Sequence, residues 1–254
     1  MRISVIIPTY NEARTIGALL DEVLSSLKEM PQHEWSVLVV DGHSSDGTGD
    51  IVREKVSKIG TIHLIEEQAK RGIALAYLTG IDHVLHVLYA DAFIEFDGDG
   101  QHDPRDITRL VEKFEQGFDY VIGSRYVEGG SVPKDWAWHR KFLSRFGSMY
   151  ARLLLRLPVH DVTSGFKLTR TKDLERRIPL TPDGLLSRHY AYKIHLLTAM
   201  VRSGARVMEV PITFRSREHD ASKSTWRDIV ESLKVTTILW WRKGSNMSLG
   251  AVHK

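Results

Sequence analysis

The first half of the chain alternates between two hydrophobic patterns. Short runs of β-branched and aromatic residues predict strands, and longer segments with apolar residues at helical spacing lie between them. The predicted strands are 3–7, 36–40, 61–65, 92–96 and 120–122, and the predicted helices are 13–27, 47–57, 73–88 and 106–114. Strands and helices in this order predict an α/β fold, with a mostly parallel central sheet and helices on both faces.

The second half has a less regular pattern. It predicts a long helix over 136–157, a strand over 165–169, a helix over 188–203 and a strand over 206–210. The last predicted helix, over about 224–242, is amphipathic and could pack on the sheet or lie in a membrane interface, with Trp240 and Trp241 at headgroup level. We predict a catalytic domain over residues 1–223 and a membrane-interfacial amphipathic helix and tail over 224–254.

Composition limits the class of protein. The chain has 254 residues, enough for one large α/β domain or two small ones, and its 42% hydrophobic and 26% charged residues are typical of a soluble globular protein with a buried core. Since no run reaches the roughly 18 apolar residues of a membrane span, we expect a cytoplasmic protein, peripheral at the cytoplasmic face of the membrane. The absence of cysteine excludes disulfides and thiolate sites. A pI near 9.0 suits diphosphates or acidic lipid headgroups, whereas no motif indicates nucleic-acid binding.

Polar residues follow three of the predicted strands, at 8–12, 41–48 and 97–104. Ligands of open α/β sheets bind beyond the carboxyl ends of the strands. Asp97 and Asp99 are separated only by Gly98, and two carboxylates this close repel each other unless a cation neutralises them. Hard oxygen ligands suit Mg²⁺ or Mn²⁺, which would bridge the phosphates of a bound nucleotide. The alternative for this segment is a solvated Asp-Gly turn.

Several strings of the sequence resemble the family 2 glycosyltransferases of the GT-A fold, and among these the dolichyl- and polyprenyl-phosphate mannose synthases. The matching strings are VIIPTYNE at 5–12, SSDGT at 44–48, DGDGQH at 97–102, GSRY at 123–126, TSGF at 163–166 and EVPITF at 209–214, followed by Arg217 and Ser222-Lys223. Their order and spacing agree from residue 3 to about 223.

The resemblance implies a metal-dependent, inverting glycosyltransferase. The implied donor is a nucleotide-diphosphate sugar, first of all GDP-mannose, and the implied acceptor is a polyprenyl or dolichyl phosphate. The same fold could instead use UDP-glucose as the donor or a lipid-linked saccharide as the acceptor. The implied cofactor is Mg²⁺ or Mn²⁺, and nucleic acid is not an expected partner.

The resemblance also implies roles for three sets of residues. Those expected to bind the nucleotide are Pro8, Tyr10, Glu12, Asp41, Lys70, Gly72, Asp97 and Gly98, with Asp41 on the base. The expected metal ligands are Asp97, Asp99 and Gln101. Those expected to act in catalysis, on the metal or on the donor and acceptor phosphates, are Asp97, Asp99, Arg125, Arg217 and Lys223. Guanidinium forks and ammonium groups are suited to phosphate oxygens.

Three positions depart from the family pattern. Asp41-Gly42-His43-Ser44 has one carboxylate fewer than the usual Asp-Asp-Gly-Ser. Asp220 replaces a glycine shortly before Lys223, and His195 stands where many relatives have glutamate. Asp220 thus adds a negative charge beside a lysine that is expected to bind phosphate.

Other interpretations of the same residues remain open. Nucleotidyl transfer usually has a glycine-rich loop with arginine after the first strand, which segment 8–12 lacks, and an inactive nucleotide-sugar binder would not need Asp97 and Asp99. We expect His102 to be structural, and Trp136 and Arg140 to pack rather than to line an acceptor groove. A sugar-hydroxyl acceptor would require a general base, for which Asp161 and Glu218 are candidates.

Overall fold

The computed structural model describes residues 1–216 and 226–242 and shows a seven-stranded sheet covered by helices. The strands are β1 (Arg2–Thr9), β2 (Glu34–Asp41), β3 (Ile62–Glu66), β4 (Ala92–Glu95), β5 (Tyr120–Ser124), β6 (Lys167–Arg170) and β7 (Val207–Pro211). Their order in the sheet is β3-β2-β1-β4-β6-β5-β7. The predicted α/β class and the predicted strands are confirmed.

The helices lie between the strands as predicted, with ends that differ by a few residues. They are α1 (Ile16–Lys28), α2 (Thr48–Lys58), α3 (Ile73–His86), α4 (Ile107–Glu115), α5 (Trp138–Leu155), α6 (Leu174–Arg177), α7 (Tyr192–Arg202) and α8 (Trp226–Trp241). A 3₁₀ turn, Pro104–Asp106, precedes α4 and is capped by the Asp103 side chain, which accepts a hydrogen bond from Arg105 N. The short α6 is an element that the hydrophobic pattern did not predict.

One strand runs against the others. β6 is antiparallel to both of its neighbours, β4 and β5, while the remaining strand pairs are parallel. Glu95 on β4 pairs with Lys167 on β6, so the residues just after β4 lie opposite those just before β6. This pairing brings Asp97 and Gly165 to the same edge of the sheet, where the carboxyl ends of the parallel strands meet.

The core lies on both faces of the sheet. Ile3, Val5 and Ile7 on β1 point toward α1, α2 and α4, whereas Ile6 points toward α3, α5, α7 and α8. This alternation is the period-2 pattern of a strand buried on both sides. Burying a side chain of this size stabilises the fold by roughly 1.5–3 kcal/mol. The two layers hold the strand ends in fixed positions.

Charged and hydroxyl groups are buried beneath the same edge of the sheet. Glu95 accepts a hydrogen bond from Tyr192 Oη at 2.7 Å. Lys167 is fully buried, and burial lowers the pKa of its ammonium group to about 8. Within the described residues, Lys167 Nζ, Tyr120 Oη and Thr169 Oγ1 have no hydrogen-bond partner. Lys167 is therefore a buried cation that lies below the strand ends and makes no hydrogen bond there.

Candidate functional site

A cavity of about 500 Å³ opens at the carboxyl edge of the sheet. Its walls come from the segments that follow β4, β5 and β7, the segment before β6, and helices α5, α7 and α8. The lining residues include Asp97, Asp99, Gln101, His102, Arg125, Trp136, His139, Arg140, Thr163, Gly165, Tyr190, Lys193, Phe214, Trp226, Ile229 and Leu233. One wall of the cavity is carboxylate-rich, and the wall from α5 and α8 combines apolar side chains such as Leu143, Ile229 and Leu233 with polar ones such as Ser144, Asp228 and Ser232.

Asp97 is held by three side chains from different parts of the chain. Tyr77 Oη donates a hydrogen bond to Asp97 Oδ1 at 2.8 Å, and Lys193 Nζ lies 3.2 Å from Oδ2. His102 Nε2 lies 3.6 Å from Oδ2. Burial raises the pKa of the Asp97 carboxyl, but Lys193 and His102 together outweigh it, so this pKa lies well below its usual value. Asp97 is therefore a fixed carboxylate anion.

Two glycines allow the strand ends to come this close. A Cβ at Gly165 would overlap both Asp97 Oδ2 and Lys193 Nζ. A Cβ at Gly98 would lie 2.8 Å from the carbonyl oxygen of Pro8 and 3.1 Å from Thr9 Cγ2. Both positions therefore require glycine because of close packing. Pro8 and Gly98, predicted to bind the nucleotide, are brought together by this contact.

The predicted metal ligands share one wall of the cavity. Gln101 is buried, and its Nε2 donates to the carbonyl oxygen of Arg215 at 3.2 Å, which orients the carboxamide. Asp99 Oδ1 accepts a hydrogen bond from Gln101 N at 3.1 Å. In residues 1–216 and 226–242, no cluster of three or more Asp, Glu, His or Cys side chains could hold a metal ion. The two carboxylates and one carboxamide fit Mg²⁺ or Mn²⁺ if phosphate oxygens or water complete the coordination.

Asp41 is the last residue of β2 and lies on the carboxyl edge of the sheet. Its carboxylate accepts hydrogen bonds from Thr9 Oγ1 at 2.9 Å, Ser44 N at 2.9 Å and Ser44 Oγ at 2.6 Å. A carboxylate has about four acceptor positions, so these bonds fix its orientation and leave one for a base N–H. Asp41 is 2% exposed, which makes it a recessed acceptor at the bottom of the predicted nucleoside site.

The Ser-Ser-Asp-Gly-Thr string joins two loops of this site. Ser44 Oγ accepts a hydrogen bond from Asn11 N at 2.9 Å, and Asp46 Oδ2 accepts one from Ala13 N at 3.0 Å. Thr48 Oγ1 accepts one from Glu12 N at 2.9 Å. These bonds fasten the loop after β1, including Tyr10 and Glu12, to the loop after β2. The string therefore positions the predicted nucleotide contacts.

Lys70 and Gly72 connect the start of α3 to the same region. Lys70 Nζ lies 3.5 Å from the centroid of the Tyr10 ring, a cation–π contact. Gly72 has a φ of 102°, and a Cβ there would lie 2.7 Å from the carbonyl oxygen of Arg188. The structure thus brings Lys70 to Tyr10, whereas Gly72 packs against the chain that precedes α7.

Arg125 reaches the cavity from the end of β5, and Asp161 fixes its orientation. Nε and Nη2 each donate to the Asp161 carboxylate at 2.7 Å, and Nη2 also donates to Thr163 Oγ1 at 3.0 Å. Asp161 is fully buried. Because both of its oxygens accept from Arg125, Asp161 is not a general base, and that candidate was wrong. Arg217, Lys223, Glu218 and Asp220 lie outside the described residues.

The structure also describes three other side chains that the sequence analysis named, His195, Trp136 and Arg140. His195 is buried, and burial lowers the pKa of its imidazole to about 4, so it is neutral at pH 7 and stays in the core. Trp136 and Arg140 pack together, with Arg140 Cζ 4.0 Å from the Trp136 ring centroid. Both also line the cavity, which the packing interpretation did not foresee.

Sequence reasoning missed two partners of Asp97, namely Tyr77 and Lys193. Lys193 lies in α7, in a segment whose residues 192–200 are all buried. A lysine within a buried helical run is rare unless its charge is paired, and this was the available signal. Tyr77 gave no such signal, since an aromatic residue at helical spacing usually packs in the core.

The sequence matches known proteins over most of its length. Residues 4–178 match the profile of Glycosyl transferase family 2. The chain is 36% identical over 233 residues to the polyprenol monophosphomannose synthase of Mycolicibacterium smegmatis, covering 91% of this chain and 84% of that protein. It is 37% identical over 223 residues to the undecaprenyl-phosphate mannosyltransferase of Micrococcus luteus, covering 88% and 87%.

The fold is also similar to solved structures. The mannosyl-3-phosphoglycerate synthase of Rubrobacter xylanophilus superposes with a TM-score of 0.69 at 15% identity, covering 100% of this chain and 78% of that one. A mannosyltransferase of Pyrobaculum calidifontis, solved with GDP-Man and Mn²⁺, gives 0.61 at 20% identity, covering 98% and 66%. These similarities establish the GT-A fold. With a strand-end site of the predicted residue types and these matches, the chain belongs to glycosyl transferase family 2 and is a glycosyltransferase.

Proposed function

We propose that this enzyme transfers mannose from GDP-mannose to a polyprenyl phosphate, with inversion at the anomeric carbon. One observation carries the proposal, namely a single cavity that is lined by Asp97, Asp99 and Arg125 and also by α5 and α8, which contribute Leu143, Trp226, Ile229 and Leu233 among their lining side chains. Such a cavity suits an acceptor with a phosphate at one end and a hydrocarbon chain at the other. The relatives at 36% and 37% identity are named for mannosyl transfer to polyprenyl phosphates.

The donor would lie along the row of strand ends. Asp41 would accept a hydrogen bond from the base, Tyr10 and Glu12 would contact the nucleoside, and Lys70 would lie near the diphosphate. Asp97, Asp99 and Gln101 would hold the divalent cation that supplies Lewis-acid stabilisation of the departing diphosphate. The Pyrobaculum enzyme binds GDP-Man with Mn²⁺, which supports this choice of donor and metal.

A phosphate acceptor would need no general base. Its second pKa is near ~6, so much of it is already a dianion at neutral pH. The enzyme then has to align the phosphate oxygen with the anomeric carbon. Arg125 is suited to this alignment. Its Nε and Nη2 donate hydrogen bonds to Asp161, and Nη1 makes none within the described residues, so Nη1 can donate to a ligand. Arg217 and Lys223 keep their predicted role on the phosphates.

The acceptor proposal predicts a selective loss when Arg217 is changed. Losing one charge-assisted hydrogen bond costs roughly 1.5–3 kcal/mol, or about 10- to 150-fold. Arg217→Ala should lower kcat/KM for polyprenyl phosphate by that factor and leave GDP affinity within about twofold.

Asp220→Gly should raise turnover, because it removes a carboxylate beside Lys223. The assay offers GDP-mannose or UDP-glucose, each with polyprenyl phosphate and with a neutral lipid-linked sugar. Transfer to the neutral sugar alone would contradict the proposal.

We further propose that α5 and α8 form a membrane-binding surface at the cytoplasmic face. Both helices expose large apolar side chains at helical spacing, namely Trp138, Phe142, Phe146, Met149 and Leu153 on α5 and Trp226, Val230, Leu233, Trp240 and Trp241 on α8. Basic residues flank these stripes, including Arg145, Arg152 and Lys234, as suits an anionic lipid surface. In the described parts of the chain, no helix is long and apolar enough to cross a bilayer. A lipid acceptor would enter the cavity along the wall that α5 and α8 form.

Replacing exposed aromatic residues should release the enzyme from vesicles. Trp138→Ser with Phe142→Ser, or Trp240→Ser with Trp241→Ser, should lower binding to anionic vesicles by about tenfold or more. Folding should be unaffected, since Trp138 and Trp241 are 79% and 80% exposed. Val87→Ser, which alters an exposed apolar residue after α3, is the matched control and should bind as the wild type does. Equal sedimentation of all variants would exclude this surface. Deletion of α8 is a poorer test, because its Val235 and Leu239 belong to the core.

A further inference from the structure

Lys193 places a buried cation against the carboxylate that we expect to hold the metal. Its side chain is 3% exposed, and Nζ lies 3.2 Å from Asp97 Oδ2 and 3.4 Å from Oδ1. The ring centroids of Tyr77 and Tyr190 lie 5.9 Å and 5.4 Å from Nζ. The metal wall therefore contains one fixed positive charge before any ligand binds.

Both partners of this ion pair lie close to Gly165. A Cβ built at that position would overlap Lys193 Nζ and Asp97 Oδ2. Asp97 is also held by the Tyr77 hydroxyl, and His102 lies on its other side. A divalent cation that binds Asp97 would therefore stay close to the Lys193 ammonium. Two positive charges about 4 Å apart repel each other strongly inside a protein, so the metal ion and the ammonium group oppose each other's binding.

We propose that Lys193 is the counter-ion that makes metal binding depend on the donor diphosphate. The proposal rests on the metal site of the proposed function. Without a diphosphate, the cation meets a carboxylate that Lys193 already neutralises, and binding is weak. A diphosphate brings negative charge that offsets the ammonium, so the metal and the diphosphate each strengthen the binding of the other by the same factor. Lys193 is thus a positioning and coupling residue, and it keeps the metal from binding firmly to the empty site.

The test measures Mn²⁺ binding to the full chain by the electron paramagnetic resonance of free Mn²⁺, with and without inorganic pyrophosphate. Pyrophosphate carries the diphosphate charge and needs no nucleoside site. Wild type should bind Mn²⁺ weakly, and pyrophosphate should tighten binding by about tenfold or more. Lys193→Met should bind Mn²⁺ alone about tenfold more tightly than wild type does, with a smaller further effect of pyrophosphate. A misfolded variant would lose Mn²⁺ binding rather than strengthen it.

Two control variants separate charge from shape. Lys193→Arg keeps the charge and should bind Mn²⁺ within a few-fold of wild type. Lys167→Met removes another fully buried lysine, which acts on Asp97 and Glu95 through its charge and makes no hydrogen bond in the described residues, and it should raise Mn²⁺ affinity less than Lys193→Met does. Equal or weaker Mn²⁺ binding by a Lys193→Met variant whose circular dichroism and unfolding midpoint match those of the wild type would overturn the proposal and leave Lys193 as a support for Asp97. That result would not affect the proposed transfer, which is measured separately as mannose incorporation from GDP-mannose.

Discussion

Asp97→Asn is expected to lower kcat by about 10³-fold, the largest single effect in the active site. The substitution removes a carboxylate that we expect to bind the metal, and electrostatic contacts of this kind contribute roughly 3–4 kcal/mol to transition-state stabilisation. It also leaves the Lys193 ammonium buried without its partner. Asp99→Asn should lose at least ~2 kcal/mol, because it removes a predicted ligand without breaking that ion pair. The measurement is mannose transfer from GDP-mannose at saturating Mn²⁺.

Metal removal provides the matching test of the same site. Wild type in excess EDTA should fall to about the rate of Asp97→Asn, and adding EDTA to that variant should change little. Asp82→Asn, at an exposed carboxylate on α3, is the control and should keep the wild-type rate. Full activity of the wild type in EDTA would show that the paired carboxylates do not act through a metal.

The polar residues at the strand ends could be predicted from the sequence, because they directly follow the strands along the chain. Asp97, Gly98 and Asp99 follow a strand directly, and a βαβ pattern brings such ends to one edge of the sheet. The structure places Asp41, Asp97 and Asp99 along that edge as expected. The GT-A fold could be predicted for the same reason, since the alternating pattern and the family strings cover the elements that build the sheet.

The partners of these carboxylates could not be predicted in the same way. Asp97 is separated from Tyr77 by 20 residues and from Lys193 by 96, and only the packing of α3 and α7 on one face of the sheet brings the three together. The antiparallel direction of β6, which brings Gly165 to Asp97, likewise depends on long-range pairing. Periodicity shows which face of a helix is buried, but it does not show which groups meet there.

The exposed apolar residues of α5 could not be identified from the sequence, because exposure is a tertiary property. The sequence predicts a long helix over 136–157, and apolar residues at helical spacing usually face a core. In the structure, Phe142 and Met149 on α5 are exposed, as are Trp226 and Val230 on α8. Only the packing of a helix in the fold shows which of its apolar residues are exposed.

The second large effect is expected at the ion pair that orients Arg125. Asp161→Asn should destabilise the protein by about 3–5 kcal/mol, because it leaves the Arg125 guanidinium buried without a compensating charge. The free energy of unfolding is measured by urea denaturation. Replacing both residues together, as Arg125→Met with Asp161→Met, should cost much less than the sum of the single changes. A loss below ~1 kcal/mol for Asp161→Asn would mean that the pair acts like a solvent-exposed one.

The pH dependence of the destabilisation caused by Asp161→Asn tests independently whether the Asp161 carboxylate stabilises the folded protein. Burial raises the pKa of the Asp161 carboxyl, but the charge and hydrogen bonds of Arg125 outweigh burial, so this pKa lies below its usual value in the folded state. A carboxyl with a lowered folded-state pKa stabilises the fold above its unfolded pKa of about 3.9, and that contribution is lost as the pH falls below it. The difference in unfolding free energy between wild type and Asp161→Asn should therefore be constant from pH 8 to about 5 and shrink in stronger acid. A difference that grows as the pH falls would show that folding raises the pKa of Asp161, and that Arg125 is then not the dominant influence on this carboxyl.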